Sequence, residues 1–224
     1  MSIRRSTALR LALLALPLAG CATGYAPQAP QTVSLAGTWK LDRAASDDPQ
    51  QLLERMRAQA RKIIERQRAA AYGTARPPGA DAPPPSPMDS EAASGHDPLR
   101  RSPMAHVILE AVARGDYLAI RQSPESFVLD YGTSVRRFTP GARSVVSAEG
   151  GVGDQTSGWK GREYVITVRA QLGPTVTETY ALDPDGKHLV VKLAISSGEL
   201  PGVTLTRRYA ASTDSAPRAV PTTE

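Results

Sequence analysis

The chain reads as a mainly β protein: an antiparallel meander forming a strongly curved sheet or a barrel, with a two-helix insertion after the first strand. Three observations predict this. From Asp116 onward the apolar period switches from helical spacing to two, as expected of strands that bury one face. Breakers such as Ser123-Pro124, Pro140-Gly141, Gly150-Gly151, Gly173-Pro174 and Pro201-Gly202 recur at hairpin spacing between the apolar runs. No helical pattern lies between those runs, whereas parallel strands would need crossovers of a dozen or more residues.

The first strand is expected at Gly37–Leu41. Asp48-Pro49 then opens a helix: the carboxylate caps free backbone N–H groups, and proline at the first helical position costs no needed donor. Leu53, Met56, Ala60, Ile63 and Gln67 follow 3,4 spacing, widened by Leu52 and Ile64, so this helix runs to about Tyr72 and stops at Gly73. The second helix repeats the grammar, with Ser102 as cap, Pro103 next and Gly115 beyond the end. Strands follow at Tyr117–Gln122, Ser126–Tyr131, Ser134–Thr139, Ser144–Ala148, Glu163–Leu172, Thr175–Leu182, His188–Ile195 and Val203–Tyr209. Asp183-Pro184-Asp185-Gly186 is the clearest turn between them. In all, the domain spans residues 35–211 and carries its insertion at 48–115.

Three segments lack the composition of a core. Residues 21–34 read as a flexible tether, of which the nine residues Gly24–Thr32 alone would lift a domain roughly 25–30 Å if extended. The run 73–98 holds Pro77-Pro78 and Pro83-Pro84-Pro85 among small and polar residues, a disordered linker. Residues 212–224 read as a disordered tail.

Residues 1–20 differ again. Arg4, Arg5 and Arg10 precede the apolar run Leu11–Ala19, which is about half the ~20 residues a spanning helix needs. Leu18-Ala19-Gly20 then leads into Cys21, the single cysteine of the chain. This resembles the signal of bacterial lipoproteins. The resemblance implies cleavage before Cys21, acylation of its sulfur and a membrane anchor, and Ala22 in place of Asp points to the periplasmic face of the outer membrane. With that thiol acylated no disulfide remains available, so the core alone must hold the fold.

Loss of three arginines with residues 1–20 lowers the formal charge from +5 to +2, so no nucleic-acid partner is indicated. The remaining basic excess is local. The first helix carries Arg55, Arg57, Arg61, Lys62, Arg66 and Arg68 against Glu54 and Glu65. Two readings stay open for it: lying on anionic headgroups, or packing on the sheet with its arginines solvated.

Gly37-Thr38-Trp39-Lys40-Leu41 resembles the Gly-x-Trp of lipocalins and the opening strand of intracellular fatty-acid-binding proteins. Arg207-Arg208-Tyr209 on the last strand resembles the Arg-x-Tyr with which the latter grip a carboxylate. The resemblance implies a lipocalin-like, calycin-type barrel in which Arg207 and Tyr209 bind the polar end of a ligand. Period-two geometry does place those two side chains on one face. Trp39 also reads as a structural plug at the barrel end.

No catalytic residue, metal site or cofactor is expected. His96, His106 and His188 lack ligand spacing, and Gly-x-Ser-x-Gly, HExxH and phosphate-loop motifs do not occur. Asp130, Glu163 and Glu178 would be buried carboxylates only on inward faces, and alternation turns them outward. The expected function is non-enzymatic binding of a small amphipathic or lipid-like molecule. The alternative is a protein-interaction module of the cell envelope, an assembly subunit or an enzyme inhibitor, with a filled barrel. A hydrolase with a hidden carboxylate pair is a third option.

Overall fold

Period-two alternation becomes ten antiparallel strands in the computed structural model, which describes residues 24–74 and 97–217. They are β1 (Gly37–Asp42), β2 (Tyr117–Gln122), β3 (Phe127–Asp130), β4 (Val135–Phe138), β5 (Arg143–Ala148), β6 (Gly151–Lys160), β7 (Glu163–Ala170), β8 (Thr175–Leu182), β9 (His188–Ser196) and β10 (Val203–Ala211). Between β1 and β2 lie α1 (Pro49–Thr74) and α2 (Pro103–Ala113). The sheet runs β4-β3-β2-β1-β10-β9-β8-β7-β6-β5, so every strand pairs with its chain neighbours except at the β4–β5 step, and β1 joins the two halves by pairing with β10. β4 and β5 are its two edges. The meander is thus a curled, open half-barrel and not a closed one.

Nine strands were expected and ten are present. The addition is β6, whose Gly151, Gly153 and Gly158 and polar centre hide a strand from any apolar count. It is held instead by ladders on both sides, to β5 and to β7. Gly153 is needed for space: a Cβ there would meet Val168 and Ala148 at 3.1 and 3.2 Å.

Both helices start where Ser or Asp precedes Pro. Ser102 Oγ accepts from Ala105 N–H, Asp48 Oδ1 accepts from Gln50 N–H, and Gly115 closes α2 at φ +78°. Leu52, Leu53, Met56 and Ala60 of α1 pack with Met104, Ile108 and Ala111 of α2 over Leu193, Ile195 and Leu205 of the sheet. The sheet-packing reading therefore holds for the first half of α1; from Arg61 to Ala70 only Ile63 is even half-buried. No helix among the described residues is long and apolar enough to cross a membrane.

The helices cover what we call the upper end, where β9 and β10 meet at Ile195 and Val203. The lower end is plugged by rings and by the N-terminal segment. Trp39 Nε1 donates to the Leu35 carbonyl at 3.2 Å, fixing Trp39 as a plug beside buried Phe127, Trp159 and Tyr164.

The tether reading of residues 21–34 is corrected over residues 24–34, which lie on the body. Ala26 and Trp159 exchange backbone hydrogen bonds at 2.7 and 2.8 Å, and the Tyr25 hydroxyl meets Thr167 Oγ1 at 2.9 Å. Val33 and Leu35 are buried, and the Gln122 amide bonds both Val33 O and Leu35 N. Prolines at 27 and 30 made this stretch look like spacer, yet its few apolar side chains suffice to dock it. Residues 212–217 of the expected tail also dock: Ser212 N donates to Thr38 O, and Asp214 pairs with Lys40 at 2.8 Å. The expected signal at 1–20, Cys21, most of the expected Pro-rich linker (75–96) and residues 218–224 lie outside the described residues.

Candidate functional site

The interior is built around a carboxylate that alternation placed on the wrong face. Glu178 on β8 shares its side with Val176 and Tyr180, and that side is inward. Arg136, two residues before inward Phe138 on β4, reaches across the lumen to Glu178 with contacts of 2.7 and 2.9 Å. Arg114, at the C-terminal cap of α2, donates to the same carboxylate at 3.1 Å. The Tyr180 hydroxyl donates to it at 2.5 Å, so Tyr131, 3.2 Å from Tyr180 Oη, donates in turn to Tyr180. Burial pushes the Glu178 carboxyl up, but the Arg136 and Arg114 guanidiniums and the hydrogen bonds from Arg136 and Tyr180 outweigh it and hold it at about 2. The cluster ties the helical cap to both halves of the sheet. Asp130 and Glu163, the other two candidate carboxylates, sit on the outer side, Asp130 paired with Arg121.

Around this cluster little space remains. Phe127 stacks on Tyr164 with ring centroids 3.7 Å apart, and Trp159 meets both edge-on. Burial pushes the Tyr164 hydroxyl up to about 12. Beside Glu178 lies a cavity of about 20 Å³ bordered by Arg114, Tyr131, Tyr180, Arg207 and Tyr209. That is room for one water.

Arg207 and Tyr209 do share the inner face, with the guanidinium 5.5 Å from the ring centroid. Tyr209 opens only on the water-sized cavity. Arg207 donates to the carbonyls of Ala111 and Gly115 at 2.7 and 2.6 Å, closing the last turn of α2. Two of its five N–H groups are thereby committed.

Arg207 also borders a second, larger space. A cleft of about 330 Å³ opens where β1, the 43–49 loop, the end of α2 and β10 meet. Leu41, Val112, Pro49 and Leu205 supply its apolar wall; Arg43, Asp47, Asp48, Asp116 and Arg207 supply charge. Those charges are already ordered: Arg43 pairs with Asp116 at 2.9 Å, and Asp47 accepts from Thr206 N–H at 2.7 Å. Its volume falls at the small end of ordinary ligand sites.

At the lower end Asp183, Asp185 and His188 bring potential ligand atoms within 4.8 Å of one another. Asp183 Oδ2 already takes the Arg208 guanidinium and His188 Nδ1, so a cation there would have to displace a charged partner. Sequence reasoning named Glu178 as a candidate carboxylate but turned it outward, and it missed Arg114 and Arg136. The signal for Glu178 was its spacing of two from Val176 and Tyr180; nothing in one sequence announces that Arg136 lies across from it.

No protein-family model and no curated protein matches the chain. Among solved structures it is similar to apo lipid binding protein 8 of Caenorhabditis elegans, at 11% identity and TM-score 0.45, covering 81% of this chain and 99% of that one. It is also similar to a secretory abundant heat soluble protein of Ramazzottius varieornatus, at 13% identity and TM-score 0.34, covering 43% and 70%. A third is the zebrafish ileal bile acid-binding protein with cholic acid, at 17% identity and TM-score 0.33, covering 46% and 80%. At such overlap the likeness carries no argument about function, which rests on the geometry above.

Proposed function

We propose that this protein is a non-enzymatic binder of a small amphipathic molecule, held in the cleft between the helices and β10. The observation that carries the reading is the 330 Å³ cleft with an apolar wall and a guanidinium whose donors are only partly used. The interior expected to hold the ligand is filled, so Tyr209 is a core residue in this reading and Arg207 alone keeps the recognition role. Acylation of Cys21 would tether the protein to the periplasmic face of the outer membrane.

A direct test is titration with an environment-sensitive fluorescent fatty acid. Val112→Trp fills the cleft from a partly exposed position and is expected to weaken binding at least about tenfold, the scale of a blocked apolar pocket. Unchanged affinity in that variant rules out the cleft. Native mass spectrometry of the purified protein then asks what molecule it carries.

One observation favours a second reading, the envelope interaction module. The void beside Glu178 holds only a water, and the second half of α1 stands clear of the body with Lys62, Arg66 and Arg68 unpaired among the described residues. Capture of a stoichiometric protein partner, lost when these three are replaced by Gln, with no small molecule bound, would select it.

A further inference from the structure

We infer that the lower rim of the sheet, not the basic helix, is the surface that rests on the membrane, against a leaflet containing anionic lipids. The inference rests on the reading of Cys21 as the lipid-bearing residue. Residues 24–34 are docked, so only Cys21, Ala22 and Thr23 separate the acyl chains from the folded body. Three residues span at most roughly 10 Å when fully extended. A body held that close has no freedom to choose its face.

The face is set by register. Ala26 pairs antiparallel with Trp159 near the lower end of β6, so the chain before Ala26 runs toward the Lys160–Glu163 turn. That turn and the neighbouring β8–β9 turn present Lys160, Arg162 and Lys187, all exposed and none in an ion pair among the described residues. Glu163 and Asp185 lie beside them, and Asp183 is neutralised by Arg208 and His188. On these two turns, where the anchor enters, the three cations outnumber Glu163 and Asp185 by one, with Glu125 on the separate β2–β3 turn of the same end, and such cations are attracted to anionic headgroups within a Debye length. At the other end, β6 has climbed roughly 30 Å over its ten residues. There the helices and the 330 Å³ cleft face away from the lipid, open to whatever the compartment supplies.

The single cysteine makes the test clean, because acylation consumes it and any introduced thiol is the only one a reagent can label. Glu163→Cys marks the lower rim and Lys62→Cys marks α1. Each full-length lipidated protein is labelled with a fluorophore in vesicles of phosphatidylethanolamine and phosphatidylglycerol carrying a headgroup-attached quencher. Flotation and intact mass establish anchoring first. Loss of emission at position 163 but not at 62, weakened when phosphatidylcholine replaces phosphatidylglycerol, supports the inference. Quenching at 62, at both sites, or at neither in an anchored protein overturns it. Quenching at 163 that is indifferent to the anionic lipid overturns the electrostatic part and leaves only a short leash. A protein that neither floats nor carries acyl chains overturns the anchor reading itself, and the inference with it.

Discussion

The two ends of the curled sheet are filled by different means. At the lower end Trp39, Phe127, Trp159 and Tyr164 interlock within a single layer of strands, capped by chain from Val33 to Leu35. At the upper end aliphatic side chains from α1 and α2 sit on β9 and β10, and Arg114 and Arg136 clamp Glu178 beneath them. Among the described residues, the 330 Å³ cleft lies at the upper end, beside the seam between helix and strand, and a smaller one of about 150 Å³ lies at the neighbouring β7–β8 and β9–β10 turns. Rings filling the lumen trade ligand volume for rigidity, and the space for function moves to the joint between layers.

This contrast can be broken at Glu178. Glu178→Ala leaves two half-buried guanidiniums without their carboxylate and is expected to cost about 3 kcal/mol in denaturant unfolding. The same carboxyl is held at about 2, below its ordinary value of 4.5, so its contribution is complete above pH 4.5 and is lost as pH falls toward 2. Acid titration of Glu178→Gln should therefore show a flatter stability profile over that window. An unchanged acid slope would mean other carboxylates carry it.

Phe127→Ala at the lower end is expected to cost about 3–5 kcal/mol, and Met104→Ala at the upper end about 2–4 kcal/mol. Hydrogen exchange sharpens the difference between the two. Lower-end amides of β2, β3 and β7 should open only with the whole fold, whereas the helices should lift off the sheet at lower free energy.

A smaller effect is expected at Gly158, where φ is +154° and a Cβ would meet Ala26 O at 2.8 Å and Gly141 N at 2.9 Å. Gly158→Ala should cost about 1–3 kcal/mol and free residues 24–30 for proteolysis. Smallest of all, Lys62→Gln with Arg66→Gln on the free half of α1 should leave stability within about 0.5 kcal/mol.

Helix starts were legible because Asp48-Pro49 and Ser102-Pro103 act locally, through caps that need no distant partner. Strands with strong alternation, such as Leu189/Val191/Leu193/Ile195 with Lys192 facing out, were legible for the same reason. β6 was not, because its glycines and polar residues are strand only by virtue of β5 and β7. Glu178 was misassigned because burial of a carboxylate depends on Arg136, 42 residues away, and on Arg114, 64 away. The docked segment 24–34 looked like spacer because its partners Gln122, Trp159 and Thr167 lie far along the chain.

The ladder between β1 and β10 has a consequence for synthesis. The chain is made from its amino end, and β10, which completes the centre of the sheet, is the last of the described strands to be produced. Until it arrives, β1 and β9 each present a bare edge, and contacts between such distant parts form slowly. The sheet therefore stays split into two halves until β10 is made, although the other nine described strands have already been translated.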